Sequence, residues 1–288
     1  MSKYAWIKQQ RDEFPVTVLC DVLDVSRPAF YDWLANPVRA RAWRRQTLVT
    51  QIKALRREPY LDTYGSPRMT EELVARGTRV CQNTVAKVMK EADLRAQTAR
   101  RYVPCTTDSA HAFRVPADTL GRDFSATGPN QKWVCDITCL PTDQGWLYLA
   151  GVTDCFSRKI VGWSMSTRMP AERVIDALTM AVTRRRPEKG LLHHSDRGVQ
   201  YACDAYQTLL KAQGIQCSMS RVGDCYDNAM KESFWSTLKR EAINGRRFKT
   251  TDEARVAVFE YIETFYNRKR RHSSLGYKSP ECFEASQN

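Results

Sequence analysis

The stretch Trp133-Val134-Cys135-Asp136-Ile137-Thr138-Cys139 places an aspartate in the middle of a strand-like run whose other residues are mostly apolar. Strand interiors disfavour aspartate, and a carboxylate among apolar neighbours costs free energy unless it has a partner. For any one of the 32 acidic residues in this chain, the default interpretation is an ordinary surface carboxylate. For Asp136 that interpretation is weak because of the strand, so we take it as a candidate functional residue.

The segments after this strand alternate between strand-like and helix-like patterns. Asp143-Gln144-Gly145 predicts a hairpin turn, and a helix is predicted over 171–184. The predicted strands are Trp133–Cys139, Leu147–Val152, Lys159–Ser166, Leu191–His194 and 215–219, with further helices near 202–212 and from about 227. A three-stranded meander followed by alternating helices and strands is the order of a ribonuclease-H-like α/β domain with a mixed five-stranded sheet. The pattern alone does not single that fold out.

Two other carboxylates stand at positions that suit a site. Asp196 directly follows the buried run that ends at His194, and α/β sheets place their ligands beyond such strand ends. Glu232 lies on the helix predicted from about 227. At about 100° per residue, that helix has an apolar face and an opposite polar face. The apolar face carries Met230, Phe234 and Leu238, and the polar face carries Asn228, Glu232 and Lys239.

Three carboxylates on separate elements suit phosphoryl transfer on DNA. Two divalent ions can be held between such side chains, one activating a nucleophile and the other stabilising the leaving oxygen. Hard oxygen ligands favour Mg²⁺ or Mn²⁺. We therefore predict that Asp136, Asp196 and Glu232 are both the catalytic residues and the metal ligands, with two ions bound.

The N-terminal third predicts an all-α, DNA-binding region. Residues 16–36 indicate two short helices around Val25-Ser26-Arg27-Pro28, with Ser26 as an N-cap. A second unit at 46–94 has its break at Tyr64-Gly65-Ser66-Pro67. Two such helix-turn-helix units in tandem, with several arginines between them, favour DNA binding over simple packing.

Composition shifts divide the chain further. Scattered prolines after the second unit mark a connector, and Thr250 with Glu253 three residues later predicts the start of a last long helix. The predicted domains are 1–45 and 46–94, both helix-turn-helix, a connector at 95–131, a catalytic core at 132–249, and a C-terminal helix with a basic segment at 250–288.

The net charge of +13 divides almost evenly between residues 1–130 and 131–288. Positive charge spread along the whole chain indicates a surface that meets a polyanion. The candidate DNA contacts are Lys239 and Asn228, Arg197 beside Asp196, and Arg270, Arg271 and His272 near the C-terminus. For Lys239, the helix alone leaves both a DNA contact and a solvent-exposed lysine open.

The ten cysteines include no Cys-x-x-Cys pair, and the four histidines include no pair spaced for zinc. We interpret the cysteines as reduced thiols in a cytosol-like compartment. No apolar run approaches the roughly 20 residues of a membrane span, and the first ten residues lack a signal-peptide core.

Several blocks of this sequence resemble one known family. The matching blocks are Trp133–Thr138, Trp146–Ala150, Asp154–Ser166, His194-Ser-Asp196-Arg-Gly-Val-Gln-Tyr201, Ser218–Lys239 and Tyr266–Pro280. Asp196 and Glu232 are separated by 35 residues, and Lys239 follows seven positions after the glutamate. In these features the chain closely resembles the downstream-frame (OrfB) transposases of a large bacterial insertion-sequence family, within the DDE, retroviral-integrase-like superfamily.

The resemblance implies a ribonuclease-H-like integrase core, dependence on Mg²⁺, recognition of the element's terminal inverted repeats, and a DNA 3′-OH as the attacking nucleophile. It also implies an oligomer on DNA, in the bacterial cytoplasm at the nucleoid. Members of the family usually act as a fusion with an upstream-frame protein. No sustained heptads occur here, so this chain is expected to be part of the working enzyme.

Two other functions remain open from sequence. A helix-turn-helix transcriptional regulator would explain residues 16–94 but would leave Asp136 without a role. A ribonuclease-H-like nuclease that cleaves without joining would share the catalytic core. A Ser-His-Asp hydrolase built on His194-Ser195-Asp196 is a poor third, because adjacent residues cannot align as a triad.

Overall fold

The computed structural model describes residues 3–35, 40–97, 116–168, 171–220, 229–243 and 246–287. The chain forms two compact units, one made of residues 1–61 with 65–95, and the other of 62–64 with 96–288. Among the described residues, no helix has the length and apolar character needed to cross a membrane. The cysteines within these ranges are free thiols.

The first unit begins with three short helices, α1 (Lys3–Gln10), α2 (Val16–Val22) and α3 (Arg27–Ala35). They enclose a small core of Ile7, Leu19, Cys20 and Phe30. The Ser26 hydroxyl accepts a hydrogen bond from the Ala29 backbone N–H at 3.2 Å, which caps α3 as predicted. The helix–turn–helix pattern read from residues 16–36 is therefore present.

The same unit continues with α4 (Ala40–Leu55), α5 (Ser66–Ala75) and α6 (Gln82–Glu91). Each of these helices has a fully buried apolar side chain, namely Ile52, Met69 and Val85. Gly77 follows α5 with a φ of +84°, a conformation that glycine adopts at little cost. The helical pattern is as predicted, although the boundary drawn at residue 45 falls inside α4.

The second unit contains a five-stranded sheet of strand order β3-β2-β1-β4-β5. The strands are β1 (Lys132–Thr142), β2 (Gly145–Asp154), β3 (Ile160–Ser166), β4 (Leu192–Ser195) and β5 (Gln216–Met219). The first three pair antiparallel, whereas β1, β4 and β5 run parallel. This mixed sheet confirms the predicted α/β architecture.

Helices α7 (Glu172–Arg185), α8 (Val199–Ala202) and α9 (Asp204–Ala212) connect the later strands. Trp133 and Cys135 of β1 belong to the core formed with α7 and α9. Gly162 of β3 lets α7 approach closely, since a Cβ there would lie 2.1 Å from the Ala177 carbonyl oxygen. Consecutive strand residues point to opposite faces, so Val134 and Asp136 face away from this core.

The opposite face of β1 is covered by α10 (Ala229–Leu238), whose Met230 packs with Val134. A π-helical turn at Lys239–Ile243 continues α10. Then follow α11 (Thr251–Glu260), a second π-helical turn at Tyr261–Tyr266 and α12 (Pro280–Ala285). The Thr250 hydroxyl accepts a bond from the Glu253 N–H, so α11 begins where the capping pattern predicts.

Candidate active site

Asp136 and Asp196 come together because β1 and β4 are neighbouring parallel strands. Val134 of β1 is paired with His194 of β4, and each aspartate lies two residues further along its own segment. Parallel pairing keeps the two positions level and their side chains on one face of the sheet. The strand order thus delivers the first two predicted carboxylates to one place.

The two carboxylates influence each other's charge. Burial raises the pKa of Asp136 to about 7, and the negative charge of Asp196 contributes to the rise. Two hydrogen bonds act in the other direction: Trp235 Nε1 donates to Oδ2 at 2.9 Å, and the Ile137 N–H donates to Oδ1 at 2.8 Å. A bound cation would relieve the electrostatic repulsion between these two carboxylates in a half-buried site.

Asp196 is held by the loop that follows β4. Its Oδ1 accepts a hydrogen bond from the Gly198 N–H at 3.0 Å, and its carbonyl accepts one from the Ser195 hydroxyl at 3.0 Å. The side chain is half-buried. Its position just beyond a strand end is the one that the sequence predicted.

Glu232 occupies the exposed side of α10, whereas Met230, Phe234 and Leu238 are buried. The helix therefore presents the two faces that its periodicity predicts. Within the described ranges, no cluster of three or more His, Cys, Asp or Glu side chains is close enough to hold a metal ion. The structure brings Asp136 and Asp196 together but does not gather Glu232 with them. Asn228 lies outside the described residues.

Two residues of α10 were missed by the sequence reasoning, and both lie beside Asp136. Trp235 bonds the carboxylate directly, and Lys231 is fully buried with its Nζ donating to the Thr153 hydroxyl at 2.9 Å. Burial lowers the pKa of Lys231 to about 7. Electrostatic interactions with Cys135 and with Asp136 act in the opposite direction. Helical periodicity carried the signal, because Lys231 falls within about 20° of Leu238 on the apolar face.

The predicted DNA-contact residues occupy varied environments. Lys239 is half-buried at the start of the π-helical turn, and Arg197 is half-buried with its Nε donating to the Ser220 carbonyl. Arg271 donates to the Tyr277 carbonyl at 3.2 Å, and the His272 ring packs edge-on against Tyr266. These residues combine a partly exposed position with packing inside the second unit.

Arg270 differs from the other predicted contacts. Its guanidinium is buried and donates to both carboxylate oxygens of Glu241 at 2.7 and 2.8 Å. This position gives Arg270 a structural role in the C-terminal segment, and its contact with phosphate stays a prediction.

A concave surface of the first unit offers a separate basic site. A basic groove with a volume of about 830 Å³ lies between α4 and the start of α6. Exposed Trp43, Arg44, Arg79, Asn83 and Lys87 are among its lining residues. The combination of cationic, amide and aromatic side chains fits nucleic acid, which presents phosphates and base edges.

Three family models match the chain. A model described as "Integrase core domain" matches residues 126–225, a second model of the same description matches 213–280, and an "HTH-like domain" matches 43–102. Together the integrase matches cover the sheet, with Asp136 and Asp196, and helix α10, which carries Glu232. The HTH-like match covers α4 to α6.

Curated relatives match over nearly the whole chain. "Transposase InsF for insertion sequence IS3A" from Escherichia coli (strain K12) is 44% identical over 285 residues, which is 98% of each chain. "Insertion element IS600 uncharacterized 31 kDa protein" from Shigella sonnei is 43% identical over 265 residues, covering 92% of this chain and 97% of its own.

Solved structures show more distant likeness. A simian T-cell lymphotropic virus intasome in complex with PP2A regulatory subunit B56 gamma gives a TM-score of 0.47 at 14% identity, covering 74% of this chain and 69% of that one. The HTLV-2 integrase catalytic core domain in complex with magnesium gives 0.40 at 17% identity, covering 56% and 99%. Neither likeness is close enough to assign residue roles.

Proposed function

Because this chain belongs to the family of insertion-sequence DNA transposases that includes InsF, we propose that Asp136, Asp196 and Glu232 are the carboxylates with which it cleaves and joins the ends of its element. The observation that supports the proposal is the parallel pairing of β1 with β4, which brings Asp136 on β1 level with Asp196, the residue directly after β4. The match to transposases over 98% of the chain favours this function over a transcriptional regulator or a nuclease without joining activity.

We propose that the site takes Mg²⁺ or Mn²⁺, with two ions at the working site. Asp136 and Asp196 fit a divalent cation because both are carboxylates and the negative charge of Asp196 raises the cost of charge on Asp136. Glu232 is the proposed third ligand, although it lies on the exposed side of α10. When bound, such ions would activate an attacking oxygen and neutralise charge on the phosphate.

The protein's own groups orient the carboxylates. Trp235 Nε1 fixes one oxygen of Asp136, and the Gly198 N–H fixes one oxygen of Asp196. A carboxylate held by such bonds keeps its remaining lone pairs in one direction, which limits reorganisation during reaction. We propose the 3′-OH of a DNA end as the nucleophile.

We propose that the first unit recognises the terminal inverted repeats, using the basic groove between α4 and α6. We further propose that joining requires two or more copies on DNA, because both ends of the element must be held at once. A fusion with an upstream-frame protein would add DNA-binding surface. The substrate would place the enzyme at the nucleoid in the bacterial cytoplasm.

The test is a joining assay on labelled terminal-repeat DNA. Asp136→Asn, Asp196→Asn and Glu232→Gln each remove a ligand's charge at nearly constant volume. We expect each to abolish cleavage and joining in Mg²⁺ while DNA binding stays near that of the unmodified protein. A variant that retains near-normal joining would remove its residue from the catalytic set.

A further inference from the structure

Helix α10 is fixed to the sheet by a buried lysine. The Lys231 ammonium is fully buried, donates to the Thr153 hydroxyl at 2.9 Å, and lies over the Trp235 and Phe234 rings at 4.4 and 5.0 Å. Burying an amine costs free energy, and the hydroxyl bond and the two ring contacts offset part of that cost. An arrangement held at such a cost needs a reason beyond packing.

The pocket that receives the ammonium is created by a glycine. A Cβ added to Gly151 would lie 2.6 Å from Lys231 Nζ and 3.0 Å from the Trp235 ring. Gly151 is also the cross-strand partner of Asp136. Cross-strand partners point to one face of a sheet, so the amine occupies the space that a Gly151 side chain would fill beside the Asp136 carboxylate.

Trp235, one helical turn after Lys231, contacts both the Lys231 amine and the Asp136 carboxylate. The same ring that covers the Lys231 amine donates its Nε1–H to Asp136 Oδ2 at 2.9 Å. Glu232 is the residue next to Lys231 on this helix. Contacts at Gly151 and Thr153 of β2 and at Asp136 of β1 therefore constrain the rotation and height of α10 over the sheet.

We propose that Lys231 and Gly151 form a lock that positions α10, so that Glu232 and Trp235 stand in a fixed relation to Asp136. Lys231 is a positioning residue in this proposal, acting through Trp235 and through the helix. The inference rests on the proposed role of the carboxylates and adds the device that sets their relative placement.

The central variant is Gly151→Ala, which changes no charge and pushes a methyl group against the Lys231 amine. We expect joining to fall between roughly 10-fold and 100-fold, since a misplacement of about 1 Å at a reacting group has effects of this size. The Kd for Mn²⁺ of the full chain, measured by calorimetry, should rise because the Trp235–Asp136 bond is disturbed. Gly128→Ala is the matched control, as its Cβ would meet only the Gln131 side chain at 3.4 Å.

The partner variant is Lys231→Met, which keeps the aliphatic stem and deletes the amine that the new methyl would strike. Independent effects would multiply in the double variant, whereas residues in contact do not behave additively. We expect Gly151→Ala/Lys231→Met to join DNA no worse than Gly151→Ala alone. Lys211→Met, an exposed lysine on α9, should leave joining unchanged.

The outcomes separate the two proposals. If Asp136→Asn retained joining, the proposed function itself would fail. If Asp136→Asn were inactive while the glycine and lysine variants joined DNA and bound Mn²⁺ normally, or if their effects multiplied, the lock would be refuted. Should Gly151→Ala not fold, Trp235→Phe replaces the indole with a smaller aromatic ring and removes the N–H, and must itself raise the Kd for Mn²⁺ for the proposal to stand.

Discussion

Arg270 and Glu241 form a buried ion pair in which the guanidinium bonds both carboxylate oxygens, at 2.7 and 2.8 Å. The Tyr261 hydroxyl donates to the same carboxylate at 2.8 Å. Through Glu241, the π-helical turn that follows α10 is therefore connected to Tyr261, in the turn that follows α11, and to Arg270, four residues after that turn. These contacts make Arg270 a part of the fold on which α10 depends.

Removing one member of this pair should destabilise the protein strongly. Arg270→Leu removes the bidentate partner of the buried Glu241 carboxylate and leaves it the Tyr261 hydroxyl and a 3.6 Å contact with Arg240. We expect the free energy of unfolding to fall by roughly 3–5 kcal/mol. Chemical denaturation measures the change. The neighbouring Arg268→Leu breaks an exposed pair with Glu281 and should cost below about 1 kcal/mol. Normal stability with lost DNA affinity in Arg270→Leu would instead support the phosphate contact predicted from sequence.

The contrast between Arg270 and the sheet shows what sequence alone predicts. The turn at Asp143-Gln144-Gly145 and the flanking strands follow from local pattern, and Gly145 has the positive φ (+113°) that such a turn uses. Asp136 and Asp196 were identified because their own neighbours are apolar or strand-like. Each of these predictions depends only on residues close in the chain.

What sequence missed depends on contacts between distant segments. Arg270 lies in a basic run that predicts solvent exposure, and its partner is 29 residues away. The amine of Lys231 is buried because Gly151, on another strand, leaves room for it. The helix predicted near 202–212 is interrupted at Cys203, which is extended between α8 and α9. Periodicity can place Lys231 on the buried face of its helix, but it does not say which residue of a distant segment meets the side chain.

The groove between α4 and α6 should supply phosphate contacts. Arg79→Ala and Lys87→Ala should each weaken binding of terminal-repeat DNA to the full chain. Each loss of a phosphate contact should reduce the slope of log K against log salt by about 0.9. Arg57→Ala, an exposed arginine of the first unit that does not line the groove, is the charge-matched control. Equal slopes in all three variants would place the DNA elsewhere.

His193 should make the protein sensitive to acid. The imidazole is fully buried next to the Tyr206 hydroxyl, and burial lowers its pKa to about 3. In the unfolded chain His193 binds a proton once the pH falls below its ordinary pKa of about 6.5. In the folded chain it binds one only when the pH falls to about 3. The stability that neutral His193 contributes is thus fully present above the pKa of the unfolded state. It declines as the pH falls towards the pKa of the folded state.

The measurement is urea denaturation at several values of pH. Between pH 6.5 and 4 we expect this one residue to remove up to about 1.4 kcal/mol of stability per pH unit. His193→Gln offers the Tyr206 hydroxyl a neutral partner and should flatten that dependence relative to the unmodified protein. An identical slope in both proteins would show that His193 does not carry the effect.

Lys239 should contact the DNA end without taking part in metal binding. It follows Glu232 by seven residues, about 10.5 Å along the axis at 1.5 Å per residue, too far to share an ion with it. The lysine stands half-buried where α10 passes into the π-helical turn, so its position is fixed by that helix.

Lys239→Ala should weaken binding of the processed end and lower joining, while the Kd for Mn²⁺ stays unchanged. Lys239→Arg should keep much of the activity, because a phosphate contact needs mainly charge and reach. Titrations of Mn²⁺ and of end DNA against both variants, with Lys249→Ala as an exposed control, distinguish the roles. An alanine variant that binds the end normally but loses Mn²⁺ would place Lys239 at the metal site instead.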